Sequence, residues 1–283
     1  MKIVSILLLF TQIFSQSIGI SIVFDGEKLM EIDRSNFESV LGKELPEHEN
    51  LEQLMSQINE QIYKEPINAT INENGGIVAE EAGHKLDEKR FREQFYRSFF
   101  KKGPATIDVP IVGNYPRVDS ELLSRIRVKR IGQFTTYFNS RKKARAQNIS
   151  LATEAINNHV VFPGEVFSFN EVVGKRTKEK GYLPAPIIIK GKIYQDFGGG
   201  ICQVSSTLYN AADKAGLQIV QRHSHSKPVP YVPPGRDANV SWYGSDFMFK
   251  NTYNQPILIR AKAHGGALMI LIESSDEINK DTP

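Results

Sequence analysis

"DFGGGICQVSSTLYNAADKAGLQI", Asp196 to Ile219, runs from three consecutive glycines into an apolar-periodic stretch and back to strand-like residues. Projected at 3.6 residues per turn, Ile201, Val204, Leu208, Ala211 and Ala215 fall within one arc, so the stretch predicts an amphipathic helix that starts just after Gly200. Cys202 lies off that arc, on the side of Ser206, Tyr209 and Asp213. The single cysteine of the chain therefore stands at a helix start, away from the packing face. Unpaired N–H groups and the positive end of the dipole at such a start favour a thiolate. Gly198, Gly199 and Gly200 allow torsions that other residues avoid and keep side chains away from a ligand. Main-chain N–H groups from Gly199 to Cys202 are placed to receive an oxyanion.

Downstream, "LQIVQRHSH" reads as a strand from Gln218 to His225, whose two-residue period puts His223 and His225 on one face. One imidazole would take the thiol proton and the other would position substrate. Asp237, Asp246 and Asn251 are candidates to orient the base. The expected catalytic group is Cys202, His223, His225 and Asp246. Gly199, Gly200, Ser206, Tyr209, Tyr231, Asp237 and Trp242 form the expected oxyanion or substrate-binding surround, with Tyr231, Pro233, Pro234, Gly235 and Trp242 as a rigid groove floor or a packed loop. Two other readings use the same residues. Cys202 is a semi-buried, inert thiol in one. In the other, His223, His225, Cys202 and a carboxylate bind zinc, although the missing short-spaced cysteine pair argues against a closed structural site. No nucleotide or organic cofactor is implied.

At 283 residues the chain is long enough for two domains, and 40% apolar with 24% charged residues is the composition of a folded globular protein. The net charge of +3 and a single short basic cluster, Arg141 to Arg145, lack the stripe expected of a nucleic-acid binder. Met1-Lys2, the apolar run "IVSILLLFTQIF" and Ser15-Gln16-Ser17 form a signal-peptide pattern. Left uncleaved, residues 3 to 24 would be a membrane anchor, though one interrupted by polar residues. Export makes an unpaired cysteine notable, because exported chains commonly use cysteines in pairs.

Along the rest of the chain, Leu51, Leu54, Met55, Ile58 and Ile62 keep helical spacing, as do Phe91, Phe95 and Phe99, while Asn74-Gly75-Gly76 marks a turn between strand-like segments. The expected organisation is α+β: a signal or anchor at 1–17, a mixed domain at 18–115, a linker helix within 116–127, a helix-plus-antiparallel-sheet domain at 128–275 and a tail at 276–283. In the larger domain, strands are expected at "VKRIGQFTTYF", "EVFSFN", "APIIIKGKIYQDF", "VSWYGSDFMFKN", "PILIRAKAHG" and "ALMILIE", and a helix at "RAQNISLATEAINNHV".

"GQFTTYF", "RAQNISLATEAINNHVVFPGEVFSFNEVVGKRTKEKGY", "GGGICQVSSTLYNAA" and "HSKPVPYVPPGRDANV" together resemble the VanW family, named after an accessory gene product associated with vancomycin resistance. The resemblance covers Arg130 to about Leu258. It implies an exported cell-envelope protein of Gram-positive type and assigns no reaction. The region before it more loosely resembles the peptidoglycan-binding domain that accompanies such modules, which implies peptidoglycan or a stem-peptide precursor as partner. Locally, "ICQVSSTLYNAADKAGLQIVQRHSHS" is similar to cell-wall cysteine peptidases whose nucleophile opens a helix ahead of a histidine-bearing strand. That analogy places Cys202 as nucleophile, although glycines stand where those enzymes usually carry an aspartate. The function expected from these readings is recognition of peptidoglycan stem peptides with cysteine-dependent acyl transfer or amide hydrolysis, and the alternative is a noncatalytic wall-binding or scaffold protein.

Overall fold

A computed structural model describes residues 19–39, 42–46, 48–189 and 192–279. The expected export segment at 1–17 and the last four residues of the expected tail lie outside the described residues. The chain divides into two compact units, Met1–Asn68 with Glu81–Arg117 and Ala69–Glu80 with Val118–Pro283. Both mix helices with small, mainly antiparallel sheets, which is the α+β class that the alternating patterns predict.

In the first unit, β1 (Gly19–Phe24) pairs antiparallel with β2 (Glu27–Asp33). Helix α1 (His48–Ile62) buries Leu51, Leu54, Met55, Ile58 and Ile62, the five residues whose spacing predicts it. After β3 (Gly83–Leu86), Asp87 caps α2 (Glu88–Phe100) by accepting from the Arg90 N–H at 3.1 Å. Phe91, Phe95 and Phe99 of α2 pack with Ile20 and Ile22 of β1 in one cluster. Strand β4 (Ala105–Asp108) completes a three-stranded sheet by running parallel to β1, and β5 (Ile111–Asn114) pairs with β3.

The second unit contains the hairpin Thr70–Ile71 and Ile77–Val78, which the sequence alone groups with 18–115. Its Ile71 packs with Leu123 and Ile126 of α3 (Ser120–Ile126), so the helix read as a linker buries an apolar face in this unit. Then follow β6 (Lys129–Tyr137), α4 (Lys143–Ile156), β7 (His159–Val161), β8 (Val166–Ser168) and α5 (Phe169–Val173). Next come the hairpin β9 (Pro184–Ile189) and β10 (Lys192–Phe197), helix α6 (Ile201–Lys214), β11 (Gln218–Gln221), β12 (Met248–Lys250) and the hairpin β13 (Ile257–His264) and β14 (Ala267–Ser274). The main antiparallel sheet has the order β6-β14-β13-β7, and β8-β12-β11 forms a smaller one.

Helix α6 is the centre of this unit. Its predicted apolar arc, Ile201 to Ala215, is buried, and so are Gln203, Ser205, Ser206, Thr207 and Asn210, each at most 1% exposed. The helix presses so closely on β6 that a Cβ built on Gly132 would lie 2.4 Å from the Ala211 carbonyl oxygen, which explains the glycine in "GQFTTYF". At the helix start, Gly200 is the N-cap residue at φ +115°, and a Cβ on Gly199 would meet the Ala185 carbonyl oxygen of β9 at 2.6 Å. The triple glycine is thus required by two left-handed torsions, Gly198 at φ +87° and Gly200, and one backbone-to-backbone contact at Gly199.

Two strand expectations fail. "LQIVQRHSH" keeps strand pairing only to Gln221, because its partner β12 is three residues long and the register slips between Ile219 and Gln221. "VSWYGSDFMFKN" is a strand only at β12, since turns occupy the residues before it.

Candidate functional site

The polar face of α6 is covered by the segment Gly235 to Val240. Asn210 Nδ2 donates to the Arg236 carbonyl at 2.7 Å, Ser205 Oγ donates to the Ala238 carbonyl at 2.6 Å, and the Ala238 N–H donates to Ser206 Oγ at 2.9 Å. Buried hydroxyls and amides that find partners in this way fix the segment's register on the helix. The result is that Asp237 and Asn239 are delivered beside the first turn. Half-buried Cys202 donates weakly to Asn239 Oδ1 at 3.5 Å and to the Val240 carbonyl at 3.4 Å.

His225 is the histidine that reaches this place. Its N–H and its Nδ1 both meet Asp237 Oδ2 at 2.6 Å, and it lies close enough to Cys202 for the thiol to act on its titration. Burial pulls the imidazole's pKa down, but Cys202 and then Asp237 overcome it and hold the pKa above the ordinary value. Burial raises the Asp237 carboxyl, and the His225 N–H, side chain and charge more than reverse that, so it stays below the usual carboxylate range. Arg222 also holds Asp237, donating from Nε to its carbonyl at 2.6 Å and from Nη2 to Oδ1 at 3.3 Å. An ionised carboxylate only accepts, so Nδ1 carries the proton and Nε2 is the nitrogen left for the thiol.

The other sequence candidates are placed differently. His223 is exposed and hydrogen-bonds Gln221 at 3.0 Å, since the strand that would have aligned it with His225 has already ended. Asp246 accepts from Ser168 Oγ at 2.6 Å and from the N–H groups of Asn170 and Phe247 at 3.0 and 2.7 Å, so it braces the start of α5 and does not orient His225. Asn251 is fully buried and donates to the carbonyls of Val161 and Gln255. The ring of Tyr209 lies between the guanidinium groups of Arg222 and Arg236, at 5.0 and 4.9 Å. Ser206 donates to the Cys202 carbonyl at 2.6 Å. Burial, then the charge of Cys202, push the phenol pKa of Tyr231 up. Trp242 stays 41% exposed. Among the described residues no group of three His, Cys, Asp or Glu side chains is placed to hold a metal ion, and the zinc reading loses His223 in particular.

At the glycine turn itself, the Ile201 and Gln203 N–H groups donate to the carbonyls of Gly198 and Gly200, which leaves the Cys202 N–H without an acceptor among the described residues. Two arginines flank the turn: a Cβ on Gly198 would touch the stem of Arg176, and one on Gly200 the stem of Arg145. Both guanidinium pKa values are lowered, first by burial, with the charge of Cys202 among the opposing influences. The sequence reading missed Arg176 and named Arg145 as part of a short basic cluster. Arg176 stands in the basic run "GKRTKEKGY", which composition alone reads as a solvated loop.

The family model described as VanW like protein matches residues 144–272. The chain is 53% identical over 262 residues to the uncharacterized protein YoaR of Bacillus subtilis, an alignment covering 92% of this chain and 86% of the relative. The chain belongs to the VanW family. A second relative, the vancomycin B-type resistance protein VanW of Enterococcus faecalis, is 35% identical over 109 residues, 37% of this chain and 40% of its own length. No solved structure matches. The span matched by the VanW model contains Arg145, Arg176, Cys202, His225 and Asp237, and so encloses the whole candidate site. Among the described residues no helix is long and apolar enough to cross a membrane.

Proposed function

We propose that this VanW-family protein acts in the cell envelope, where it recognises peptidoglycan stem peptides or their precursors and performs acyl transfer or amide hydrolysis at Cys202. The observation that carries the reading is the grouping of Cys202, His225 and Asp237: a thiol at a helix start, an imidazole close enough to be influenced by it and a carboxylate holding that imidazole's Nδ1. The envelope setting is supported by the signal-peptide pattern and by the vancomycin-resistance relative. The first unit serves as the wall-binding module.

In the first half-reaction Cys202 gives its proton to His225 Nε2 and its sulfur bonds to the carbonyl carbon. The oxyanion that forms faces the Cys202 N–H. The imidazolium returns the proton to the leaving nitrogen as the C–N bond breaks, which leaves a thioester. Water or an acceptor amine then attacks the thioester, losing its proton to His225, and the C–S bond breaks to restore the thiol. Asp237 stays ionised throughout and keeps His225 in the Nδ1–H tautomer.

The test is mass spectrometry of purified peptidoglycan incubated with the exported chain. The reading requires new fragments or cross-links with the native protein and none with Cys202→Ala, while that variant still sediments with the wall. Binding without products from either protein would leave the scaffold reading in its place.

A further inference from the structure

The hydrogen bonds that hold Arg145 and Arg176 go to neutral groups only. Arg145 Nη2 donates to Gln203 Oε1 at 2.8 Å, and Gln203 is itself fixed by donating to Thr136 Oγ1 and the Tyr137 carbonyl at 2.9 and 3.0 Å. Arg176 Nη2 donates to Asn170 Oδ1 at 2.7 Å, and its guanidinium lies 5.9 Å from the ring of Phe169 and 6.0 Å from that of Trp242. Neither forms an ion pair among the described residues. Arg176 Nη1 is buried and donates to no protein group. The Cys202 sulfur takes none of these hydrogen bonds: its thiol donates to Asn239 Oδ1 and the Val240 carbonyl, with His225 beside it. Two desolvated cations with no ion-pair partner in contact, only the longer-range charges of Cys202 and, for Arg176, Asp246, are costly unless an anion completes them, and the unpaired buried Nη1 adds to that cost.

We propose that Arg145 and Arg176 form a recognition site for a carboxylate of the substrate, one on each side of the glycine turn, which sets the adjoining carbonyl over Cys202. This deepens the proposed reaction and rests on it for the carbonyl. Planar guanidinium groups with fixed stems suit a planar carboxylate. The substrate class is therefore a peptide whose reacting amide lies close to a free carboxylate, such as a chain-terminal residue.

Trp242, the single tryptophan of the chain, is beside Arg176 and reports on the site directly. The experiment follows its fluorescence in the full Cys202→Ala chain, titrated with a stem pentapeptide bearing a free C-terminal carboxylate, with the same peptide amidated, and with inorganic phosphate. The acid peptide should give a saturable change, with the amide weaker by roughly tenfold or more, the loss expected of a charge-assisted contact. Arg176→Gln should bind acid and amide alike, and Arg176→Lys should regain part of the preference. Equal affinity for acid and amide in the unsubstituted site, or no saturable change with either, would overturn the proposal. Phosphate competing as well as the acid peptide would overturn the carboxylate assignment. Because this chain binds without reacting, the outcome is separate from that of the nucleophile test.

Discussion

One carboxylate oxygen of Asp237 receives both the backbone N–H and the Nδ1 of His225, each at 2.6 Å. This double hold fixes the position of residue 225 and the tautomer of its ring at once, so Nε2 is the nitrogen presented to Cys202. In Asp237→Asn the amide can offer an N–H to Nδ1 and turn the tautomer around. Turnover should fall roughly 10²–10⁴-fold, the contribution of a positioned general base. Asp246→Asn should change turnover little and lower stability by about 1 kcal/mol, since Asp246 supports the start of α5. Steady-state rates with chemical denaturation of both variants separate the two aspartates.

The pH dependence of stability has a defined sign. His225 is raised above its ordinary 6.5, so the stability it contributes is complete below about that value and is lost as pH rises through the higher folded value. Asp237 is lowered below its ordinary 3.8, so its contribution is present above that pH and is lost as pH falls through the lower folded value. The stability difference between the native chain and His225→Gln should be greatest between these limits, on the order of 2 kcal/mol for a charge-assisted hydrogen bond, and should shrink on either side. Urea unfolding across pH 3 to 9 measures it.

Gly199→Ala forces a Cβ to within 2.6 Å of the Ala185 carbonyl oxygen and 2.8 Å of the Pro186 carbonyl oxygen, both of them backbone atoms that cannot swing aside. The cost should be about 1–3 kcal/mol, as for overpacking elsewhere. The shift of the turn should also change the rate at which Cys202 reacts with iodoacetamide in the folded protein.

Gln203→Leu removes the acceptor of Arg145 and the donor to Thr136 inside α6's packed face. Thr136 keeps Thr207, so the loss falls on Arg145 and the Tyr137 carbonyl and should cost about 1–3 kcal/mol, read as a lower denaturation midpoint with an unchanged slope.

The helical stripes were legible because a single face of each had to be buried: Leu51 to Ile62, Phe91 to Phe99 and Ile201 to Ala215 all repeat at a helical interval. Cys202 at a helix start was legible for the same reason, together with the glycines before it. His223 was paired with His225 by extending a strand period, and Asp246 was offered beside Asp237 and Asn251 with nothing local to rank them. Strand periodicity fails where pairing ends at Gln221, and the sequence order of Asp237 and Asp246 gives no hint of which one folds back onto His225. Asp237 arrives there through Ser205, Ser206 and Asn210, polar residues on a helix face that single-sequence patterning assigns to solvent. Arg176 was hidden for a related reason, since a buried arginine in a basic run has the same composition as a solvated one.

The most direct test of the account is the mass of the Cys202-containing peptide after brief reaction with stem-peptide substrate and acid quench. The account predicts an acyl adduct on Cys202 that hydroxylamine removes, undiminished in His223→Ala and absent in His225→Ala. Turnover with no adduct on Cys202, or equal loss of the adduct in both histidine variants, would contradict it.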